Sequence, residues 1–307
     1  MPSSTRYLNP EVVAQVQRLD LRARFIVEGF LAGLHRSPFQ GLSIEFAEHR
    51  KYTPGDDLRT LDWAVFARTD RLYVRRFATE THLDCHLLID SSASMGRVGP
   101  HRRAAPPSAS GHSKLDYAVH LAAALAYIVT RQRDSIGLGV LGTSLQKLLP
   151  PRSRRADLIH LLATLAELRP SGETDLSAGI GEFLQRTTHR GLIVVLSDLL
   201  TDPQAALRAF RLARFRGHDL IVMHVLDDAE TTFPFDGVLR LEDPESGESV
   251  VVEAAAARET IVAAVSRWRA ELAAQLASLK ADYVPLHTAM PFDRALAEFL
   301  AQRARRR

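Results

Sequence analysis

From Leu83 onward the sequence alternates between short apolar runs and longer stretches with helical spacing, and this alternation restricts the fold more than any other feature. Six runs are predicted strands: Leu83–Asp90, Ile136–Leu141, Leu145–Leu149, Leu192–Leu196, Leu220–Leu226 and Tyr283–Leu286. Six stretches are predicted helices: Lys114–Arg131, Ser153–Leu168, Leu176–Thr187, Pro203–Arg216, Arg258–Ala281 and Phe292–Arg303. Strands that alternate with helices of this length form right-handed βαβ units. The prediction is an α/β fold: an open, mostly parallel sheet with helices on both faces.

The first part of the chain has a different character, and we predict an N-terminal helical and β segment at 1–82. Pro10–Leu34 has apolar residues at helical spacing and predicts one or two amphipathic helices. The charged part that follows contains two predicted strands, Leu61–Phe66 and Leu72–Phe77, joined by a charged turn. The main domain is predicted at 83–307. It carries an insertion at about 227–256, in which Val238–Glu242 and Ser249–Val252 form a hairpin.

Composition narrows the class of protein. A chain of 307 residues can bury a full core, and its net charge of +3 is too small to require a nucleic-acid or membrane partner. Cys85 is the single cysteine, which excludes disulfides within the chain and fits a reducing compartment. The N-terminus lacks a signal-peptide pattern, and no apolar run reaches the roughly 18 residues of a membrane span. We expect a cytoplasmic protein without a membrane segment.

Polar residues follow two of the predicted strands at the point where each strand ends. Asp90 is the last residue of the first strand, Ser92 and Ser94 come directly after it, and Asp198 follows Leu192–Leu196. Thr174 lies in a turn between these strands in the sequence. Ligands of open α/β sheets bind at the carboxyl ends of the strands. The five residues are therefore expected to converge in one crevice.

These residues offer oxygen atoms only, which suits a hard divalent cation: Mg²⁺ first, with Ca²⁺ or Mn²⁺ as alternatives. Because the hydroxyls are neutral, the ion would keep enough charge to attract a carboxylate from a partner protein. A second interpretation treats Asp90 to Ser94 as a Ser-rich turn that caps a later helix. Either Thr174 or Asp175 could cap the helix that begins near Leu176.

Enzymatic alternatives have weaker support. No general base has a motif-level case, so we expect a binding protein; the alternative is a magnesium-dependent hydrolase that uses the same site. The Gly-x-Gly-x-x-Gly pattern at Gly137–Gly142 lies in a strand and leads into another strand, unlike a phosphate-binding loop. His82, His86, His218 and His224 lack the spacing of zinc ligands and are interpreted as packed or capping histidines.

The strand-end residues resemble the metal-ion-dependent adhesion site of the von Willebrand factor A fold. The Asp-x-Ser-x-Ser motif of that fold is matched by Asp90, Ser92 and Ser94, its threonine by Thr174 and its later aspartate by Asp198. This sequence has Leu199 where many members have glycine. The resemblance covers roughly Leu83 to the C-terminus, and it implies a metal-dependent protein-interaction module.

A narrower resemblance covers nearly the whole chain. The stretches Gly41–Tyr52 and Pro54–Arg59, with Asp62-Trp63 and Ala67-Arg68, are similar to the bacterial family called domain of unknown function fifty-eight. Genes of that family commonly neighbour those of MoxR-type AAA+ ATPases. The resemblance therefore implies an adaptor or effector of such an ATPase. Many relatives carry membrane segments near the N-terminus, and this chain departs from them there.

Overall fold

A computed structural model describes residues 18–21, 23–24, 27, 49–51, 66, 68, 71–75, 84–96 and 112–297. The chain forms two compact units, one comprising Met1–Phe30 with Leu83–Arg307 and the other Leu31–His82. Within the described part of the second unit, β1 (His49–Lys51) pairs antiparallel with β2 (Tyr73–Arg75).

The first unit is built on a six-stranded sheet. Its strands are β3 (Asp84–Asp90), β4 (Ser135–Leu141), β5 (Leu145–Arg152), β6 (Leu192–Ser197), β7 (Asp219–Leu226) and β10 (Asp282–His287). The order across the sheet is β10-β7-β6-β3-β4-β5, and every neighbouring pair is parallel except β4 with β5. Since the chain moves from β3 to β4 on one side and from β6 to β7 and β10 on the other, the topological switch point lies between β3 and β6. A ligand crevice is expected there.

Helices cover both faces of this sheet. They are α1 (Lys114–Arg131), α2 (Arg155–Glu167), α3 (Leu176–Arg186), α4 (Pro203–Phe215), the short α5 (Asp228–Thr232) and α6 (Ala254–Ser278). Helix α1 contacts β3, β4 and α2, whereas α3, α4 and the C-terminal half of α6 share one apolar core with residues of β6 and β7. The predicted α/β fold, a mostly parallel sheet with helices on both faces, is confirmed.

Helix α1 lies at the centre of the packing and is buried nearly all round. One side contacts the sheet. Helical residues near the N-terminus add a second cover: Leu19, Ala23 and Val27 recur at four-residue spacing and are buried, and Arg24 lies over the Tyr127 ring at 5.8 Å. A helix that is apolar on all sides is stable only when it is enclosed in this way. Among the described residues, no helix is long and apolar enough to cross a membrane.

Insertion residues form a small structure of their own. Strands β8 (Val238–Glu242) and β9 (Ser249–Glu253) form the predicted hairpin, and α5 precedes it. Helix α6 begins at Ala254, four residues before the predicted start, because the Glu253 carboxylate accepts hydrogen bonds from Ala255 N and Ala256 N and so caps it.

One prediction in the N-terminal part is wrong where it can be compared. Phe66 is helical, although Leu61–Phe66 is predicted as a strand, and β2 pairs with β1. Apolar residues occupy position 61 and all of positions 63–66, and periodicity cannot distinguish a helix from a strand in so short an apolar run. Residues 61–65, most of Pro10–Leu34 and the C-terminal residues from 298 lie outside the described residues, as does His82.

Candidate functional site

Two adjacent strands carry the acids of the site to one edge of the sheet. Strands β3 and β6 are parallel neighbours, and their ends bring Asp90 and Asp198 to the switch point. Both residues have no exposed surface. The loop that carries Thr174 is held against the same edge by backbone hydrogen bonds, from Ala93 N to Gly172 O at 2.8 Å and from Asp175 N to Gly142 O at 2.9 Å.

Four of the five predicted residues form one hydrogen-bonded group around Asp90. Asp90 Oδ1 accepts hydrogen bonds from the Thr174 hydroxyl at 2.8 Å and from Ser92 N at 3.0 Å. The hydroxyls of Ser92 and Ser94 lie 3.0 Å apart. Asp175, not Thr174, caps α3 by accepting from Ala178 N, so the Thr174 hydroxyl is free to reach Asp90.

Asp198 is the fifth predicted residue, and a buried lysine holds it. Asp198 Oδ2 lies 2.8 Å from the Nζ of Lys114, and Asp198 Oδ1 accepts from Leu200 N at 3.2 Å. The same ammonium lies 2.6 Å from Oε1 of Glu230. Lys114 has 1% of its side chain exposed. The sequence pattern contained no indication of this charge cluster.

The pKa values of these groups reflect burial among charges. Burial raises the pKa of Asp90, and the charge of Asp198 raises it further, while hydrogen bonds from Ser197 and Ser92 act in the opposite direction. Burial alone would lower the pKa of Lys114, but the carboxylates of Asp198 and Glu230 outweigh it and raise that pKa. Burial also raises the pKa of Glu230, against the influence of Lys114. Asp90 and Glu230 therefore lie where additional positive charge would stabilise their ionised forms.

Five residues that the sequence analysis did not assign to the site contact one of its predicted members or, in the case of Glu230, contact Lys114. They are Lys114, Ser197, His224, Glu230 and Glu245. The Ser197 hydroxyl donates to Asp90 Oδ2 at 2.6 Å and accepts from Leu199 N at 2.9 Å. Its position directly before Asp198 at a strand end was a usable signal. Lys114 and Glu230 are 116 residues apart in the sequence, and no local pattern relates them.

His224 fixes the backbone of Asp198 from the neighbouring strand β7. Its Nε2 lies 2.9 Å from Asp198 O, and its Nδ1 lies 2.7 Å from the Tyr283 hydroxyl. Because a carbonyl can only accept, Nε2 carries the proton and, in the neutral ring, Nδ1 accepts from Tyr283. Burial lowers the pKa of His224 to about 4, which keeps the ring neutral. His224 is thus a buried, packed histidine, as predicted.

Leu199, the departure from glycine, has a left-handed backbone with φ of 56°. This conformation favours glycine, and a leucine there is strained by about 1–2 kcal/mol. The Leu199 side chain is buried in the main apolar core, which offsets that cost. The loop after Asp198 therefore keeps a glycine-like geometry with a leucine.

The donor set fits a hard divalent cation. In octahedral coordination with metal–oxygen distances of about 2.0–2.1 Å, adjacent ligand atoms lie about 2.9 Å apart. Ser92 and Ser94 hydroxyls, at 3.0 Å, match that spacing, as do Thr174 Oγ1 and Asp90 Oδ1 at 2.8 Å. A hydroxyl that donates one hydrogen bond keeps lone pairs for a metal. In the described residues no three histidine, cysteine or acidic side chains form a metal cluster, so any site here depends on hydroxyl ligands.

The Gly-x-Gly-x-x-Gly pattern at Gly137–Gly142 lies in β4 and the turn to β5, as predicted. A Cβ at Gly139 would lie 2.6 Å from Leu88 Cδ2. Close approach of β3 to β4 therefore explains the glycine. No phosphate loop is formed by this stretch.

Comparisons with known proteins agree with the family resemblance. The family described as "Protein of unknown function DUF58" matches residues 48–271. The uncharacterised proteins Rv1480 of Mycobacterium tuberculosis and Mb1516 of Mycobacterium bovis are each 29% identical over 303 residues, covering 97% of this chain and 91% of the relative.

Solved structures to which this chain is similar include BatB from Bacteroides thetaiotaomicron and the VWA domain of SpRpn10. BatB is 20% identical, with 73% of this chain and 99% of BatB covered at a TM-score of 0.48. The SpRpn10 domain is 12% identical, with 70% and 94% covered at a TM-score of 0.39. The strand order described above carries the fold assignment, a mostly parallel six-stranded α/β sheet with one antiparallel edge strand. Because the family match spans most of the chain, the protein belongs to the DUF58 family.

Proposed function

We propose that this protein binds a divalent cation, Mg²⁺ first, through Asp90, Ser92, Ser94, Thr174 and Asp198, and that the bound cation engages an acidic residue of a partner protein. One observation carries the proposal. Three neutral hydroxyls and a buried carboxylate meet at the switch point of the sheet, and the oxygen pairs Ser92–Ser94 and Thr174–Asp90 have the spacing of adjacent ligands in an octahedral site. The cation would supply positive charge that can bind a carboxylate.

The chain's own residues position this set in three ways. Ser197 and Ser92 N–H orient the Asp90 carboxylate, and His224 fixes the Asp198 backbone. Lys114 neutralises part of the charge on Asp198 and Glu230, so Asp198 can stay buried and Glu230 part-buried before a cation arrives. Such orienting contacts typically change metal affinity by about 10–100-fold.

Binding is favoured over hydrolysis by the same contacts. Both ring nitrogens of His224, the histidine that contacts the site, are engaged. A general base needs a free lone pair within reach of the proton that it removes. A magnesium-dependent release of phosphate from a phosphomonoester that is lost in Asp90→Asn would support the hydrolase instead.

Isothermal titration of Mg²⁺ into metal-free protein tests the metal site. We expect one saturable site, with affinity at least about tenfold weaker in Ser94→Ala, since a ligand oxygen is lost. Ser91→Ala is the matched control: Ser91 is also buried in the same loop, but its hydroxyl donates to Leu141 O, away from the site. Circular dichroism establishes that each variant is folded. Absence of binding by folded wild-type protein, or equal loss in both variants, would contradict the proposal.

The partner we propose is a MoxR-type AAA+ ATPase, as the family resemblance implies. Purified ATPase from the same organism would be retained on immobilised protein in Mg²⁺ and released by a chelator. Retention should also be lost with Ser94→Ala but not with Ser91→Ala. If neither the chelator nor Ser94→Ala changes retention, the ATPase binds this protein without using the metal site.

A further inference from the structure

A glutamate from the insertion reaches the candidate metal site. Glu245 lies in the turn between β8 and β9, and its Oε2 accepts a hydrogen bond from Thr174 N at 3.1 Å. Thr174 is the residue whose hydroxyl donates to Asp90. The two residues are 71 positions apart in the sequence, so only the tertiary structure brings the hairpin to this edge.

The turn is built to present this side chain. Asp243 Oδ1 accepts from Glu245 N at 2.9 Å, and Asp243 Oδ2 accepts from the Ser246 hydroxyl at 2.7 Å. Asp243 N donates to Glu248 O at 2.8 Å and closes the turn. A carboxylate on a turn that is fixed by its own hydrogen bonds loses little conformational freedom when it binds.

The second oxygen of Glu245 is buried and has no hydrogen-bond partner among the described residues. Buried carboxylate oxygens are normally paired, because removing them from water without a donor or a cation is unfavourable. Elsewhere in the same site, the described residues include three buried or part-buried acids, Asp90, Asp198 and Glu230, and the Lys114 ammonium contacts the last two. A divalent cation would supply the charge that this arrangement lacks.

We propose that Glu245 becomes the site's own acidic ligand when a cation binds, and that it then takes the position of a partner's carboxylate. This inference rests on the proposed function, since it requires the metal. The hairpin therefore competes with the partner, and the partner must present a carboxylate that displaces Glu245. An acidic side chain on an exposed turn, of the kind that this chain itself offers, is the chemistry that fits.

Mg²⁺ titration of Glu245→Gln, which keeps the shape of the side chain and removes its charge, tests the ligand role. We expect Mg²⁺ affinity about tenfold weaker than wild type. Glu248→Gln is the control, because Glu248 is exposed in the same turn and should bind Mg²⁺ like wild type. Equal Mg²⁺ affinity in wild type and Glu245→Gln would overturn the inference and leave the proposed function standing. No Mg²⁺ binding by folded wild type would overturn both.

Competition is tested with a probe peptide that has the sequence of this turn, Asp243 to Glu248. At saturating Mg²⁺, fluorescence anisotropy should show the labelled peptide binding Glu245→Gln at least about tenfold more tightly than wild type, because the ligand position is open. A chelator should abolish this binding. Equal affinity of the two proteins for the peptide would overturn the competition.

Discussion

At the scale of single residues, Lys114 governs the electrostatics of the candidate site. It is the first residue of α1, and the capping box formed by Ser113 and Asp116 fixes the start of that helix. This cap places an ammonium group between Asp198 and Glu230, at 2.8 and 2.6 Å. Removing one partner of a buried ion pair leaves an uncompensated charge, which is far more costly than losing a surface pair.

Lys114→Met should therefore lower the free energy of unfolding by about 3–5 kcal/mol, measured by urea denaturation in a chelator. Arg186→Met is the control, because the Arg186–Glu182 pair is exposed and its atoms are 3.8 Å apart. That control should change stability by no more than about 1 kcal/mol. If the metal site forms as proposed, Mg²⁺ should restore part of the loss in Lys114→Met. Wild-type stability of Lys114→Met would contradict the charge assignment.

At the scale of elements, the insertion has an apolar core separate from that of the main sheet. Phe233, Phe235 and Ala254 are its buried members, with partly buried residues of β8, β9 and α6 packed against them. Arg258 joins the cluster by donating to Phe233 O and Phe235 O. Helix α6 spans both cores, because Ile261 and Val262 pack in the insertion and Leu272 and Leu276 in the main core.

Phe235→Ala should open the insertion without unfolding the sheet, since a Phe→Ala change in a core costs about 3–5 kcal/mol and only local contacts are lost. Hydrogen–deuterium exchange should show faster exchange across β8 and β9, with β3 and β6 still protected. Phe210→Ala, in the main core, is the control and should destabilise β6 and β7 as well. Loss of protection throughout the sheet in Phe235→Ala would show that the two cores unfold together.

At the scale of the whole molecule, buried histidines connect global stability to pH. His86 has 2% of its surface exposed, packs edge-on to Phe183 at 5.0 Å, and has no hydrogen-bond partner for either ring nitrogen among the described residues. Burial, assisted by nearby His218, lowers the pKa of His86 from 6.5 to about 4. His86 therefore stays neutral in the folded protein at pH values where the unfolded chain takes up a proton.

Because the folded pKa lies below the unfolded one, the contribution of His86 to stability is complete above pH 6.5 and is lost as the pH falls toward about 4. As the pH falls through that window, the free energy of unfolding should decrease by about 1.4 kcal/mol per pH unit less in His86→Leu than in wild type. Urea denaturation at several pH values measures this. Phe183→Leu is the control, because it alters the same packing but keeps His86. Its free energy of unfolding should change with pH as that of wild type does. The raised pKa values of Asp90 and Glu230 act in the opposite direction in all three proteins.

Much of this architecture could be predicted from local pattern, for a physical reason. A buried parallel strand needs a continuous apolar run and its crossover needs a helix, so the six predicted strands match β3–β7 and β10 within a few residues. Strand ends then follow from the runs, and parallel neighbours bring their ends to one edge. Asp90, Ser92, Ser94, Thr174 and Asp198 could thus be grouped at that edge from their positions in the sequence, although their metal binding stays a prediction.

Contacts between distant segments depend on tertiary packing. Lys114 with Glu230 and Glu245 with Thr174 form only when loops and the insertion return to the sheet. Ion pairs and single hydrogen bonds have no periodicity in sequence, since one atom pair satisfies them at any separation along the chain. Local sequence pattern was enough to specify the sheet, its helices and the strand-end oxygens. Packing determined the charge around those oxygens and the glutamate that reaches them, because both require parts of the chain that meet only in the folded state.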